Sequence, residues 1–125
     1  NIGLTICYDL RFAGLYRTLA KSGAQILTAP AAFTCSTGKA HWHTLIKSRA
    51  IETGCFLIAS AQTGEHPGSN RKTYGHSLIV NPWGEVILDG GKLPGLFFAK
   101  LDLREVKSAR NRIPSLSDNS EFKIR

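Results

Sequence analysis

Three residue types in this chain could do covalent or acid–base chemistry, namely cysteine, histidine and glutamate, and their placement separates them. Cys7 closes the alternating apolar run Ile2, Leu4, Ile6 and stands just before a helical pattern. A side chain at such a strand-to-helix elbow is pushed out at the sheet edge, where open α/β sheets place their ligands. The helix N-terminus behind it favours an anionic sulfur, and the backbone N–H groups that follow can hold an oxyanion. Cys7 therefore has the position of a nucleophile; the competing reading is a buried, inert cysteine. Asp9, two residues on, is of the N-cap type and would set the start of the helix. Cys35 falls in a loop and Cys55 at a strand start, and neither has a comparable setting.

His76 could partner Cys7 in a Cys–His dyad, but its strand-like surroundings favour a core or supporting histidine. His41 and Trp42 open a helix, where they either line a pocket or pack helix against helix. Glu52 lies mid-helix beside Arg49, which fits a buried salt bridge better than acid–base catalysis. His41 and His43 are two apart on a helix and point to different sides. With no Cys or Asp beside them, no metal site and no cofactor are predicted. Gly90-Gly91 and Pro94-Gly95 are turns rather than phosphate loops, since no helix follows them at the needed spacing.

The elements that must hold these residues follow from periodicity. Asn1–Cys7 reads as a strand and Arg11–Ser22 as a helix, with Leu15 and Leu19 four apart and Gly23 as its stop. Ala24–Pro30 is a short buried strand, Phe33–Lys39 a polar loop, and Ala40–Thr53 a second helix ended by Gly54. Cys55–Ala61 is a continuous apolar strand of the kind buried on both faces. Gln62–Lys72 is rich in turn formers and is predicted as a loop. Ser77–Asn81 and Glu85–Leu88 flank Pro82-Trp83-Gly84 as a hairpin. Leu96–Leu101 is predicted as a further strand. Asp102 and Glu105 form a capping box that opens a helix to about Asn111, which Pro114 ends. Residues 113–125 have weak periodicity and are expected to be an extended tail. The order βαβαβ, then a meander, then a helix predicts layered α/β architecture with one sheet face poorly covered.

Composition bounds the partners. The 125 residues are 42% hydrophobic, enough for a packed core, and suit one domain or a large piece of one. Sixteen Lys and Arg against nine Asp and Glu give a net charge of +7, but the charges are scattered and lack interleaved aromatics. Nucleic acid is therefore not the expected partner. Three widely spaced cysteines fit no disulfide framework and no CxxC metal site, so a reducing cytoplasm is expected. No apolar stretch has the length of a membrane span. The chain contains no Met, and Asn1 falls inside an apolar run. This predicts that residues upstream have been removed and that residues 1–125 are the C-terminal portion of a single domain.

Several motifs in order carry a resemblance. Gly3–Arg11 (GLTICYDLR), with Phe12 and Leu15-Tyr16-Arg17, resembles the nucleophile motif of the nitrilase, or carbon–nitrogen hydrolase, superfamily. Ala29–Phe33 (APAAF), Thr37–Trp42 (TGKAHW), Ser48–Thr53 (SRAIET), Ala61-Gln62, Tyr74–Ser77 (YGHS) and Asn81–Gly84 (NPWG) follow at the family's spacing, so the likeness runs to about Arg112. The chain is most similar to the small-amidase branch that includes deaminated-glutathione and omega-amidase enzymes. The resemblance implies a four-layer α-β-β-α sandwich with a mixed sheet and a Glu-Lys-Cys catalytic set. Cys7 matches the nucleophile and Tyr8 would supply an oxyanion N–H. Asp9, Arg11, Ala31, Phe33, Thr37, His41 and Trp42 would be the pocket candidates, with Arg49, Glu52 and His76 in supporting roles. The Glu and Lys of the family precede the cysteine and have no counterpart here; Lys21, Lys39 and Lys47 do not match the lysine motif. The chain departs from its relatives at Ala13-Gly14, where Pro-Glu is common, and at His43, where Glu is common.

What the resemblance implies is cysteine-dependent hydrolysis of a non-peptide C–N bond in a small carboxylate-bearing amide. The reaction passes through a thioester and releases ammonia or an amine, with no cofactor. The alternatives are an N-carbamoyl-amide hydrolase or a nitrilase, and, from another class, a non-catalytic binding or scaffold module on the same fold. The isolated chain is expected to be inactive without the Glu and Lys, and to form a homo-oligomer.

Overall fold

The computed structural model describes residues 1–118 and has the element order β1 (Ile2–Leu4), α1 (Ala13–Lys21), β2 (Ile26–Thr28), α2 (Cys35–Thr37), α3 (His43–Thr53), β3 (Phe56–Ala59), β4 (Thr63–Glu65), β5 (Lys72–Tyr74), β6 (Leu78–Val80), β7 (Val86–Asp89) and α4 (Arg104–Arg112). Five strands form one mixed sheet in the order β1-β2-β3-β6-β7. β1, β2 and β3 run parallel, while β6 and β7 are antiparallel additions. The crossovers that parallel strands require are the two helical segments, α1 and α2–α3.

Register divides the sheet into two faces. Gly3, Leu27, Leu57 and Val80 stand side by side and are buried. They pack against Tyr16 and Ala20 of α1 and Ile46 and Ala50 of α3, all in one core cluster save the glycine. Gly3 is required for that approach, because a Cβ there would lie 2.7 Å from Leu27 Cδ2 and 3.2 Å from Leu19 Cβ. The next row, Leu4, Thr28, Ile58, Ile79 and Leu88, points the other way. It is only partly buried, and Leu4 is 76% exposed. The described residues thus supply one helical layer and one sheet layer, with an apolar sheet face left open.

Several boundaries differ from the sequence-based expectation for identifiable reasons. The first helix begins with a separate 3₁₀ turn over Cys7–Arg11, and α1 starts only at Ala13, capped at Phe12. Asp9 is therefore not the N-cap of α1; its carboxylate accepts the Ile6 N–H at 2.9 Å. Residues 33–39 are not all loop: Thr34 caps α2, its hydroxyl accepting the Thr37 N–H. A π-helical stretch over Gly38–Trp42 then carries the chain into α3. The polar run Gln62–Lys72 contains a hairpin, β4 with β5, in register Thr63 to Tyr74. Leu96–Leu101 forms no strand, since it has no ladder partner among the described residues, and Leu96 and Phe98 are 87% and 86% exposed. At α4 the Asp102 carboxylate accepts the Arg104 N–H and guanidinium, a local clamp rather than a reciprocal capping box with Glu105. Residues 113–118 turn back rather than extend: Arg17 Nη2 donates to the carbonyls of Ser115 and Asp118, and Leu116 packs on the core. The rest of the expected tail, 119–125, lies outside the described residues.

Candidate active site

Cys7 follows β1 and adopts φ +46°, a left-handed conformation that side chains other than glycine rarely take. The strain is over-determined by its neighbours. Cys7 N–H donates to Pro30 C=O at 2.8 Å, Asp9 N–H to Ile6 C=O at 2.9 Å, and the Asp9 carboxylate holds the Ile6 N–H. Backbone strain of this kind costs of order 1–3 kcal/mol and persists where a side chain must be aimed. Tyr8 occupies the second position of the 3₁₀ turn, ahead of its first internal bond, where N–H groups have no intrahelical acceptor.

Cys7, half-buried, lines a cavity of about 650 Å³ together with Pro30, Ala31, Ser60, Ala61 and Gln62. These residues follow β1, β2 and β3, so the cavity lies at the C-terminal ends of the three parallel strands. Its floor is the open sheet face, Ile58, Ile79 and Leu88, and Leu96 and Phe97 reach over it from the segment expected to be a strand. Backbone pairing shapes the rim: Ala31 bridges Ala61, with Ala31 N–H on Ser60 C=O at 2.8 Å and Gln62 N–H on Ala31 C=O at 2.9 Å. Ser77, also in the lining, accepts the Ala61 N–H on its hydroxyl at 2.9 Å.

Of the pocket residues expected from sequence, Ala31 shares this cavity with Cys7, and the others lie elsewhere. Asp9 is bound to the turn. Arg11 lies over the rings of Tyr8 and Phe33, at 5.5 and 5.4 Å from their centroids, and approaches His41 Nδ1 at 3.4 Å. His41 is exposed. Thr37 bonds Thr34 through its hydroxyl at 2.9 Å. Phe33 and Trp42 are core, packed ring to ring at 4.8 Å, with Trp42 at the end of the π-helical stretch. Lining residues outside that expectation include Ser60, Gln62, Ser77, Leu96 and Phe97; Gln62 and Ser77 belong to motifs of the family resemblance, while Leu96 and Phe97 carry no signal beyond their apolarity.

The supporting residues have definite partners. Arg49, 6% exposed, donates from Nε to Leu10 C=O at 3.0 Å, so α3 is tied to the turn that carries Cys7. Its Nη1 meets Glu52 at 2.9 Å, but Glu52 is exposed, so the pair is only half buried. Thr5 and Tyr16 share a buried hydroxyl–hydroxyl hydrogen bond beneath the same turn. Burial pushes the Tyr16 phenol up, against the lowering effect of the Thr5 hydrogen bond. His76 is not near a strand centre. It follows Gly75 at φ +74° with its own φ at +59°, and its carbonyl accepts Trp42 Nε1–H at 2.7 Å. Its ring meets Asp89, as does that of His43. Asp89 lies 46 residues beyond His43 in the chain, so only the fold brings an acidic group beside that histidine.

Residues 1–111 match the family model described as carbon-nitrogen hydrolase. A deaminated glutathione amidase of Synechocystis is 50% identical over 93% of this chain, which spans 42% of that relative's length. The solved structure of the Caenorhabditis elegans NitFhit protein superposes with a TM-score of 0.89 at 46% identity, over 94% of this chain and 28% of that one. An amidase variant from Nesterenkonia superposes with a TM-score of 0.74 at 28% identity, over 89% of this chain and 41% of that one. That structure holds an acetamide moiety added covalently at its active-site cysteine.

Proposed function

The chain belongs to the carbon–nitrogen hydrolase family, and from that premise we propose that Cys7 is the nucleophile of an amidase acting on a small carboxylate-bearing amide. The observation that carries the reading is a single one. A strained, left-handed cysteine lines a cavity at the C-terminal ends of parallel strands, with the next backbone N–H at the head of a helical turn. The Cys7 sulfur attacks the amide carbon, and its proton passes through a general base to the departing nitrogen. The developing oxyanion is held by Tyr8 N–H. Ammonia or an amine leaves, a thioester remains on Sγ, and water cleaves it to the acid and free thiol. These 125 residues hold no counterpart of the general base and the lysine that the family resemblance implies, so this chain by itself is inactive. The deaminated glutathione amidases among its relatives make that compound the first substrate to try. Free thiols at Cys7, Cys35 and Cys55 fit a reducing, cytoplasmic setting.

The test is product release by the full-length protein from a panel of deaminated glutathione, simple ω-amides, an N-carbamoyl amide and a nitrile. Cys7→Ala is expected to lower turnover at least about a thousandfold, the scale on which removing a nucleophile acts. Turnover unchanged by that substitution sinks the assignment. Cys7-dependent hydrolysis by the purified 125-residue chain would overturn the claim that it is inactive alone. Preference for the carbamoyl or nitrile compound replaces the amide substrate while keeping Cys7.

A further inference from the structure

We propose that His43, His76 and Asp89 form a binding site for one divalent transition-metal ion of the zinc class. The three side chains come from separate elements: the first residue of α3, the turn between β5 and β6, and the end of β7. His43 Nε2 lies 3.0 Å from Asp89 Oδ2, and His76 Nδ1 lies 2.9 and 3.0 Å from the two carboxylate oxygens. One donor atom from each of the three falls within 4.8 Å of the others. Metal bonds of about 2.0–2.2 Å at tetrahedral or octahedral angles separate neighbouring donors by roughly 3.0–3.5 Å. Two edges of the triangle already have that length, and a small ring movement closes the third.

The donors are held from outside. His76 N–H donates to Gly91 C=O at 2.6 Å and its carbonyl accepts Trp42 Nε1–H, which fixes the left-handed turn that aims the ring. Tyr74 stacks on the His76 ring at 4.5 Å. Asp89 Oδ1 accepts the Gly91 N–H at 2.9 Å. Burial tends to raise the Asp89 pKa, but the Gly91 N–H and the two histidines outweigh it, so the carboxyl is held below its ordinary range and is ionised. Without metal, each ring N–H donates to that one anion. With metal, each imidazole moves its proton to its other nitrogen and offers the freed lone pair, so no net proton need be lost.

Two imidazoles and one carboxylate suit zinc, cobalt or nickel rather than calcium or magnesium, which take oxygen ligands. The side chains of His43 and Asp89 are 34% and 35% exposed, which leaves room for water to complete the coordination. The ion would join α3 to the two strands beside it. Ser77 and Leu88, the immediate neighbours of His76 and Asp89, line the cavity that holds Cys7. An occupied site would therefore brace one wall of that cavity.

The experiment uses full-length protein stripped with a chelator and carrying Cys7→Ala and Cys35→Ser to remove the accessible thiols. Zn²⁺ is titrated calorimetrically and Co²⁺ by visible absorption, with melting temperature as a third readout. One equivalent is expected, with no thiolate charge-transfer band and a higher melting temperature. His43→Gln and Asp89→Asn should each weaken binding at least about tenfold, since even the loss of residues that only support metal ligands has that effect. Absence of binding, or binding unchanged in His43→Gln, overturns the proposal. His43 is half-exposed at a helix start, so that variant decides the matter even if Asp89→Asn fails to fold.

Discussion

Arg49 shows what a single side chain does here. It is buried, and its guanidinium has three directional partners: Leu10 C=O, the Glu52 carboxylate, and the Tyr16 ring 5.9 Å beneath it. A lysine keeps the charge but not the planar fork, so it cannot serve Leu10 and Glu52 together. Arg49→Lys should lower stability by about 1–3 kcal/mol, the cost of leaving buried polar groups unpaired. Urea denaturation of the two proteins measures it, and equal midpoints would refute it. The pairing of Arg49 with Glu52 was legible in the sequence, because residues three apart on a helix are neighbours. The bond to Leu10 was not, since it joins positions 39 apart that only the fold brings together. The same limit hid the convergence of His43, His76 and Asp89, whereas Cys7 was legible from its elbow and its motif.

At the scale of elements, the apolar strands and α3 were readable because their periodicity is long or unbroken. The entry to α3 was not. Glycine and serine in Cys35–Lys39 suggest a loop, yet Thr34 caps a helix there and the chain passes through a π-helical stretch. Gly38 explains why glycine stands inside that stretch. A Cβ would lie 2.3 Å from Tyr74 Cβ and Cγ, atoms at the root of the side chain that cannot swing away. Gly38→Ala should therefore destabilise the protein by about 1–3 kcal/mol despite alanine's better helix propensity. A thermal melt equal to or above that of the parent would contradict this. The β4–β5 hairpin was missed for the opposite reason. Its strands are three residues each and polar, so composition signals turn while the ladder is set by pairing.

For the whole molecule, the layered α/β class and the expectation of one poorly covered sheet face followed from the order of elements, while the mixed sheet was what the family resemblance implied. Leu4, Leu93, Leu96 and Phe98 are all more than three-quarters exposed. Apolar surface on that scale drives association. The 125-residue chain should therefore self-associate, with a light-scattering mass above the 13.6 kDa of one copy. A monomeric mass at working concentration would count against it. Among the described residues no helix is long and apolar enough to cross a membrane.

Arg110 on α4 has a consequence for how the molecule assembles. Its guanidinium donates to Thr53 C=O at 3.1 Å and Ala24 C=O at 2.7 Å, and lies 3.0 Å from Cys55 Sγ. Those three acceptors belong to the end of α3, the approach to β2 and the approach to β3. They come within reach of one side chain only after β2 and β3 have paired and α3 has been laid across them. The seat for α4 is complete only where those three segments lie together, so the docking of this helix depends on the crossovers before it.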